Sequence, residues 1–196
     1  MFDGEGRVAL VTGAATEPAR RIATALAGRG MTLVLTDINE EHLDLVAAEW
    51  PGVEKPLTRR LDVTDSAGWS SLVAEIEAAV GPLHALVSAA EFDPGAVAVD
   101  LPPASWERAV AINLMGVVRG IAAVLPVLRR HGAGGLVVTT VPDRGAASSP
   151  HEATRIGTAV VMEALAVELE DESIRTVVVS STGDAGASVL AALDGA

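Results

Sequence analysis

Short runs of Val, Leu and Ile alternate along this chain with longer helical patterns, and this alternation limits the possible folds more than any other feature. The runs predict strands at residues 7–12, 32–36, 57–61, 83–87, 136–140 and 174–179. Because parallel strands are joined by long crossovers, the intervening helices indicate a parallel sheet covered on both faces. The expected fold class is α/β, with one doubly wound domain and a mostly parallel sheet of about six strands.

Composition and charge exclude several classes of function. The chain has 196 residues, of which 49% are hydrophobic, and its formal net charge is −12. A strongly acidic protein is a poor partner for nucleic acid or for an anionic membrane, since both are polyanions. The absence of cysteine excludes disulfides and thiol nucleophiles. The chain shows no signal-peptide pattern and no apolar stretch of about 20 residues, so we expect a cytoplasmic protein that does not enter the membrane.

Five short motifs follow one another in a recognisable order. They are VALVTGAA at 8–15, DVT at 62–64, INL at 112–114, VVTT at 137–140 and ALAVEL at 164–169. Together they resemble the short-chain dehydrogenase/reductase family over residues 7–183, which implies a Rossmann-type fold. The resemblance places Gly13 in the phosphate turn of a dinucleotide site, Asp37 at its ribose and Asp62 at its adenine. It also places Asn113 and Thr140 at the catalytic Asn and Ser of the family.

The chain departs from that family at the residues that carry its chemistry. The family uses a tyrosine and a lysine one helical turn apart, whereas this chain has no tyrosine and a single lysine, Lys55. The register of the ALAVEL motif puts His151 and Arg155 at the two positions. Family members usually continue into a seventh strand and a segment that covers the substrate. The resemblance therefore implies a domain over residues 1–183, truncated relative to the family, with a short tail over residues 184–196.

Acidic residues replace glycines around the expected cofactor turn. Glu17 stands where the family has its middle glycine, and Glu91 replaces a glycine that lines the cofactor. A carboxylate about 4 Å from a phosphate would cost up to about 4 kcal/mol at an effective dielectric constant near 20. We therefore expect no cofactor, or NAD if any is bound. Two alternatives remain open: Glu17 could cap the helix that follows it, and Asp37 could be a helix N-cap.

Four polar residues form the candidate catalytic set: His151, Thr140, Arg155 and Asn113. A neutral imidazole can act as a general base, and a guanidinium can stabilise an enolate oxygen. The set therefore predicts cofactor-independent proton transfer next to a carbonyl of a small metabolite, as in an isomerase, cyclase or dehydratase. A simpler interpretation places His151 near solvent at a helix start and pairs Arg155 with an acidic neighbour, Glu152 or Asp143.

Two further functions remain open from the sequence. The chain could be a non-catalytic scaffold or a heteromeric partner, or an atypical NAD(P)-dependent oxidoreductase in which His151 replaces the tyrosine. The resemblance implies a dimer, or a higher oligomer, through two long helices near residues 105–130 and 150–170. An apolar stripe on the second helix would suit such packing: Ile156, Val160, Ala164 and Val167. The three remaining histidines, at 42, 84 and 131, have no ligand spacing, so no metal site is expected.

Overall fold

A parallel sheet of six strands forms the centre of the molecule, as the alternation predicts. The computed structural model describes residues 4–52, 54–95, 100–143, 145 and 148–194. The strands are β1 Val8–Thr12, β2 Thr32–Asp37, β3 Leu57–Arg60, β4 Leu83–Ser88, β5 Gly135–Val141 and β6 Ile174–Ser180. Their order in the sheet is β3-β2-β1-β4-β5-β6, and every neighbouring pair is parallel. The predicted α/β fold is confirmed.

Helices connect the strands and cover both faces of the sheet. They are α1 Glu17–Ala27, α2 Glu40–Ala48, α3 Ser66–Ala79, α4 Pro103–Ala109, α5 Met115–His131, α6 Ser149–Glu168 and α7 Ala185–Asp194. A π-helical turn, Val110–Leu114, joins α4 to α5. Most of the predicted ends lie within two residues of those in the structure. The π-helical turn is a feature that the apolar periodicity does not distinguish from continuous α-helix.

Alternate residues of each strand pack against different helices. In β1, Ala9 and Val11 belong to a core shared with α1, α2 and α7. Val8 and Leu10 belong to a second core shared with α3, α5 and α6. All five residues of β1 are buried, as expected for a central strand covered on both sides.

The tail expected at residues 184–196 contains the helix α7. Ala185, Val189 and Leu193 on this helix are buried against α1 and the sheet. The two helices approach closely at Gly186, where a Cβ would lie 2.8 Å from the carbonyl oxygen of Arg21. Small residues make this approach possible, and they also weaken the apolar pattern by which sequence analysis recognises a helix.

The helical stretch from Pro103 to His131 is long and apolar enough to cross a bilayer by length and composition alone. Its position in the fold indicates a different role. It forms the crossover between β4 and β5, and Val124, Val127 and Leu128 contribute to the core beneath the sheet. A crossover between adjacent parallel strands is part of the domain, so we interpret this stretch as a core helix.

Candidate functional site

The turn after β1 keeps the geometry of a dinucleotide-binding loop. Gly13 has φ +67°, and a Cβ there would lie 2.5 Å from the backbone nitrogen of Ala90. Thr12 supports the same contact, since its Oγ1 accepts a hydrogen bond from the Ala89 N–H at 3.3 Å. The turn therefore requires glycine both for its conformation and for its close approach to the end of β4.

The carboxylate of Glu17 lies outside this turn, contrary to the prediction that it fills the phosphate site. Its Oε1 accepts a hydrogen bond from Nε of Arg21 at 3.0 Å, and the Glu17 side chain is 64% exposed. Glu17 is not the N-cap, which is Thr16, but it lies in the first turn of α1, where the helix dipole favours a carboxylate, as the capping alternative expects. Thr16 donates its hydroxyl to the carbonyl of Gly13, and in the described part of the chain no side chain caps the start of α1. The N–H groups of Glu17 and Ala19 can still face an anion, whereas Pro18 between them has no N–H to donate.

A cleft of about 320 Å³ opens beside the turn, at the carboxyl ends of the strands. This is where doubly wound folds bind their ligands. Asp37 and Asp62 belong to its lining, and Ile38, Val63 and Ile112 supply apolar surface. An apolar cleft with a few carboxylates suits a nucleoside, which has a flat ring and hydroxyl donors. The residues present therefore fit the adenosine half of a dinucleotide.

The two aspartates of the cleft are held by hydrogen bonds. Asp37 accepts from the backbone N–H of Ala15 at 3.2 Å and of Asn39 at 3.0 Å. It is not the N-cap of α2, because Asn39 fills that role. Asp62 accepts from the N–H of Thr64 at 2.9 Å and from its hydroxyl at 2.7 Å, and these hydrogen bonds lower the pKa of the Asp62 carboxyl.

Asn113 lies in the π-helical turn, and both its side chain and its backbone carbonyl are hydrogen-bonded to other residues of the protein. Its side-chain oxygen accepts the N–H of Phe92 at 2.7 Å, and its amide group donates to the Phe92 carbonyl at 3.0 Å and to Thr154 Oγ1 at 3.0 Å. Its own carbonyl accepts hydrogen bonds from Thr158 Oγ1 at 3.0 Å and from Arg155 Nη1 at 3.4 Å. Asn113 therefore positions backbone and other side chains.

Arg155 is fully buried and forms the centre of a polar network. Its Nη2 donates to the hydroxyl of Thr140 and to the carbonyl of Ser88, the latter at 3.4 Å. Burial lowers the pKa of Arg155 to about 10, while the negative charge of Glu91 acts in the opposite direction. The expected pairing with Glu152 or Asp143 is wrong.

Those two acidic residues have other partners. Glu152 accepts the N–H of Gly145 at 2.9 Å, and Asp143 accepts the hydroxyl of Ser180 at 2.9 Å. The Arg155 guanidinium is thus bound by neutral oxygens rather than by a carboxylate in contact with it. A charge held in this way is costly to fold, which is typical of a residue kept for function.

His151 is also buried, with 4% of its surface exposed, so its expected location near solvent is wrong. Its Nε2 lies 3.1 Å from Oε2 of Glu91, a residue that lines the cleft. Its Nδ1 is buried and has no hydrogen-bond partner among the described residues. A buried ring nitrogen without a partner is either a cost to stability or an atom that meets a ligand.

The structure brings the predicted catalytic residues together through different contacts. Arg155 contacts Thr140 and Asn113 directly. His151 joins the group through Thr154, whose hydroxyl donates to the His151 carbonyl at 3.0 Å and accepts from Asn113. Sequence reasoning missed Thr154, and it treated Glu91 only as an obstacle to a cofactor. The spacing of His151, Thr154 and Thr158 on one face of α6 is a signal that could have indicated the network.

Comparison with known proteins gives the same fold and names a family. A model of the short chain dehydrogenase family matches residues 7–187. A 2,5-dichloro-2,5-cyclohexadiene-1,4-diol dehydrogenase, LinX from Sphingobium indicum, is 32% identical over 177 residues, which cover 87% of this chain and 70% of that protein. The apo form of LigO from Sphingobium sp. strain SYK-6 superimposes with a TM-score of 0.87 at 27% identity, over 98% of this chain and 74% of that one.

A further solved structure shares the fold and contains a dinucleotide. A short chain dehydrogenase/reductase from Burkholderia phymatum, solved in complex with NAD, has a TM-score of 0.85 at 23% identity and is matched over 92% of this chain and 66% of that one. The relatives are dehydrogenases and this fold neighbour holds NAD. The prediction of a cofactor-independent isomerase, cyclase or dehydratase is therefore wrong, and the expectation that no cofactor binds has no support.

Proposed function

Because this chain belongs to the short-chain dehydrogenase family, we propose that it is an NAD(H)-dependent oxidoreductase acting on an alcohol or carbonyl group of a small molecule. The observation that carries the proposal is the continuity of the cleft. Its lining runs from the Gly13 turn past Asp37 and Asp62 to Glu91, which contacts His151. The cleft that suits a dinucleotide thus includes a carboxylate in contact with the buried imidazole of His151.

The cleft favours NAD(H) over NADP(H). A carboxylate after the second strand accepts the ribose 2′-hydroxyl of NAD, whereas it would repel the 2′-phosphate of NADP. Asp37 occupies this position, and its two backbone hydrogen bonds fix its direction. Asp62 can accept a hydrogen bond from the adenine amino group, and the start of α1 can bind phosphate. The bound dinucleotide supplies the hydride donor or acceptor.

The proton of the reaction is assigned to His151, which stands where the family has its tyrosine. As a neutral imidazole, it can take the proton of an alcohol at Nδ1 while the hydride leaves the neighbouring carbon. Arg155 does not move protons, because even at a pKa of about 10 its guanidinium stays charged at neutral pH. Its charge would act on the substrate oxygen through Thr140, to which it donates a hydrogen bond.

Thr140 completes the arrangement. Its hydroxyl oxygen accepts a hydrogen bond from Arg155, so its own hydrogen is available for the oxygen of a substrate. The described residues thus provide a base, a hydroxyl donor and a fixed cation, which together replace the tyrosine and lysine of the family pattern.

Cofactor titration followed by turnover tests this proposal. NADH fluorescence and calorimetry should show binding below millimolar concentration, with NADPH at least about tenfold weaker, which corresponds to 1.4 kcal/mol. NAD⁺ reduction with a panel of secondary alcohols should then be abolished in His151→Ala, while the same variant still binds NADH. A wild-type protein that binds neither dinucleotide at millimolar concentration would exclude the function.

A further inference from the structure

We propose that Glu91 is a positioning residue, which holds His151 at Nε2 and so makes Nδ1 the atom that exchanges a proton with the substrate. This inference rests on the proposed function, since it assigns a role within the same site. The pair joins two distant parts of the chain: Glu91 follows β4, and His151 belongs to the first turn of α6.

The contact is made at the boundary between the cleft and the interior. Oε2 of Glu91 lies 3.1 Å from Nε2 of His151. The Glu91 side chain is 27% exposed, whereas that of His151 is only 5% exposed. The carboxylate can therefore keep part of its hydration in the cleft while it anchors a ring that is almost entirely buried.

The backbone around each partner is held in place. The residue after Glu91 is Phe92, whose N–H and carbonyl are both bound by the side chain of Asn113, at 2.7 and 3.0 Å. The carbonyl of His151 accepts a hydrogen bond from Thr154, which is itself bound by Asn113. One asparagine thus supports the backbone on both sides of the pair, so the carboxylate and the ring meet at a fixed distance.

The chemistry of the two groups then determines the tautomer. An ionised carboxylate only accepts hydrogen bonds, so Nε2 must carry a hydrogen when it contacts Glu91. In a neutral imidazole the other nitrogen, Nδ1, then presents a lone pair. Nδ1 lacks a partner in the described part of the chain and is buried, which costs free energy until a hydroxyl reaches it.

Charge supports the same assignment. When Nδ1 takes a proton, the ring becomes an imidazolium, and the carboxylate at Nε2 stabilises it. A second carboxylate, that of Asp93, lies nearby: its pKa is lowered by its hydrogen bonds with Ser148 and Gly95 and, to a smaller extent, by His151. Of the two carboxylates, Glu91 is the one that touches the ring.

Nitrogen NMR of histidine-labelled protein tests the positioning directly. In the wild type, Nε2 should give the shift of a protonated nitrogen and Nδ1 that of an unprotonated one. Glu91→Gln can offer either an oxygen or an N–H to the ring, so it should give a mixture of tautomers. The matched control is Glu75→Gln. Glu75 is an exposed residue of α3 that pairs with Arg59 of β3, so this variant should leave the His151 signals unchanged.

Kinetics provides the second measurement. With NAD⁺ and a secondary alcohol, Glu91→Gln should lower kcat by about 100-fold, as expected for loss of a partner that orients an acid–base residue. Glu91→Asp should recover part of kcat. A Glu91→Gln protein with the wild-type tautomer and kcat would overturn the proposal.

The outcomes separate this inference from the proposed function. A wild-type protein that binds no NADH refutes the oxidoreductase and, with it, proton exchange at Nδ1. A protein that binds NADH and turns over alcohol, yet shows hydrogen on Nδ1 rather than on Nε2, refutes the role of Glu91 alone.

Discussion

Arg155 is a single residue whose buried charge is expected to lower the stability of the fold. The side chain is fully buried, and its contacts are neutral oxygens. Two of these oxygens have a second donor: the Ser88 carbonyl binds Thr139 Oγ1 at 3.2 Å, and the Asn113 carbonyl binds Thr158 Oγ1 at 3.0 Å. These two carbonyl acceptors would therefore remain satisfied without the guanidinium, and only the Thr140 hydroxyl oxygen would lose its donor.

We predict that Arg155→Met leaves the free energy of unfolding unchanged or raises it by about 1–4 kcal/mol, because replacing buried charge by apolar volume is often stabilising. Alcohol oxidation should fall at the same time, since the cation at the site is lost. Urea denaturation and NADH production measure the two effects. Arg21→Met, at an exposed ion pair, is the control for loss of a surface charge. A clear loss of stability in Arg155→Met would contradict the interpretation.

Asp37 carries the second prediction at this scale. In Asp37→Ser, NADH binding should weaken by about 10- to 100-fold, since a hydrogen bond to a charged group is worth about 1.5–3 kcal/mol. NADPH binding should improve, because the repulsion of its 2′-phosphate is removed. Titration of both cofactors gives the ratio of their dissociation constants. Unchanged preference in the variant would show that Asp37 does not contact the ribose.

At the level of elements, the turn between β1 and α1 packs against the end of β4, and Gly13 is required there both by its backbone conformation and by close packing. Gly13 and Gly6 have nearly equal positive φ angles, +67° and +68°. A Cβ at Gly13 would lie 2.5 Å from Ala90, whereas at Gly6 it would meet no described atom within 4 Å. Substitutions at these two glycines therefore distinguish the cost of backbone strain, which both share, from the cost of steric overlap, which only Gly13 has.

We predict that Gly6→Ala lowers the free energy of unfolding by about 1–2 kcal/mol, because alanine is strained in a left-handed backbone conformation. Gly13→Ala should cost about 1–3 kcal/mol more, because overlap with the backbone of Ala90 adds to the same strain. It should also abolish NADH binding, which Gly6→Ala should retain. Chemical denaturation and cofactor titration of the two variants measure these differences, and equal losses of stability would contradict the close contact.

The elements also show how far the sequence could be interpreted. Strands were predictable because apolar runs end in turn residues such as Gly13, and the grouping of Arg155 with Thr140 and Asn113 followed from the family register. The position of Glu17 was not predictable, because it depends on a competing partner, Arg21, one helical turn away. The Glu91–His151 contact was also missed, since residues 60 positions apart meet only through the fold.

The whole molecule presents an apolar surface that a single copy leaves uncovered. Val160 and Val167 on α6 are 59% and 70% exposed, and Ala164 between them is also exposed. Met115 at the start of α5 is 37% exposed. We propose that this stripe, with Ile156, forms a homodimer interface of α5 and α6, because apolar residues in a row on a helix are stabilised by a partner helix.

The double variant Val160→Asp with Val167→Asp tests this assembly. Wild-type protein at micromolar concentration should have twice the mass of the chain in light scattering, and the variant should be monomeric, since each unpaired carboxylate buried in an interface costs several kcal/mol. Leu45→Asp provides the control: Leu45 is 58% exposed on α2, which packs at the opposite end of the sheet. That variant should keep the dimeric mass. If the double variant remained dimeric while it stayed folded, the interface would have to lie on another face of the molecule.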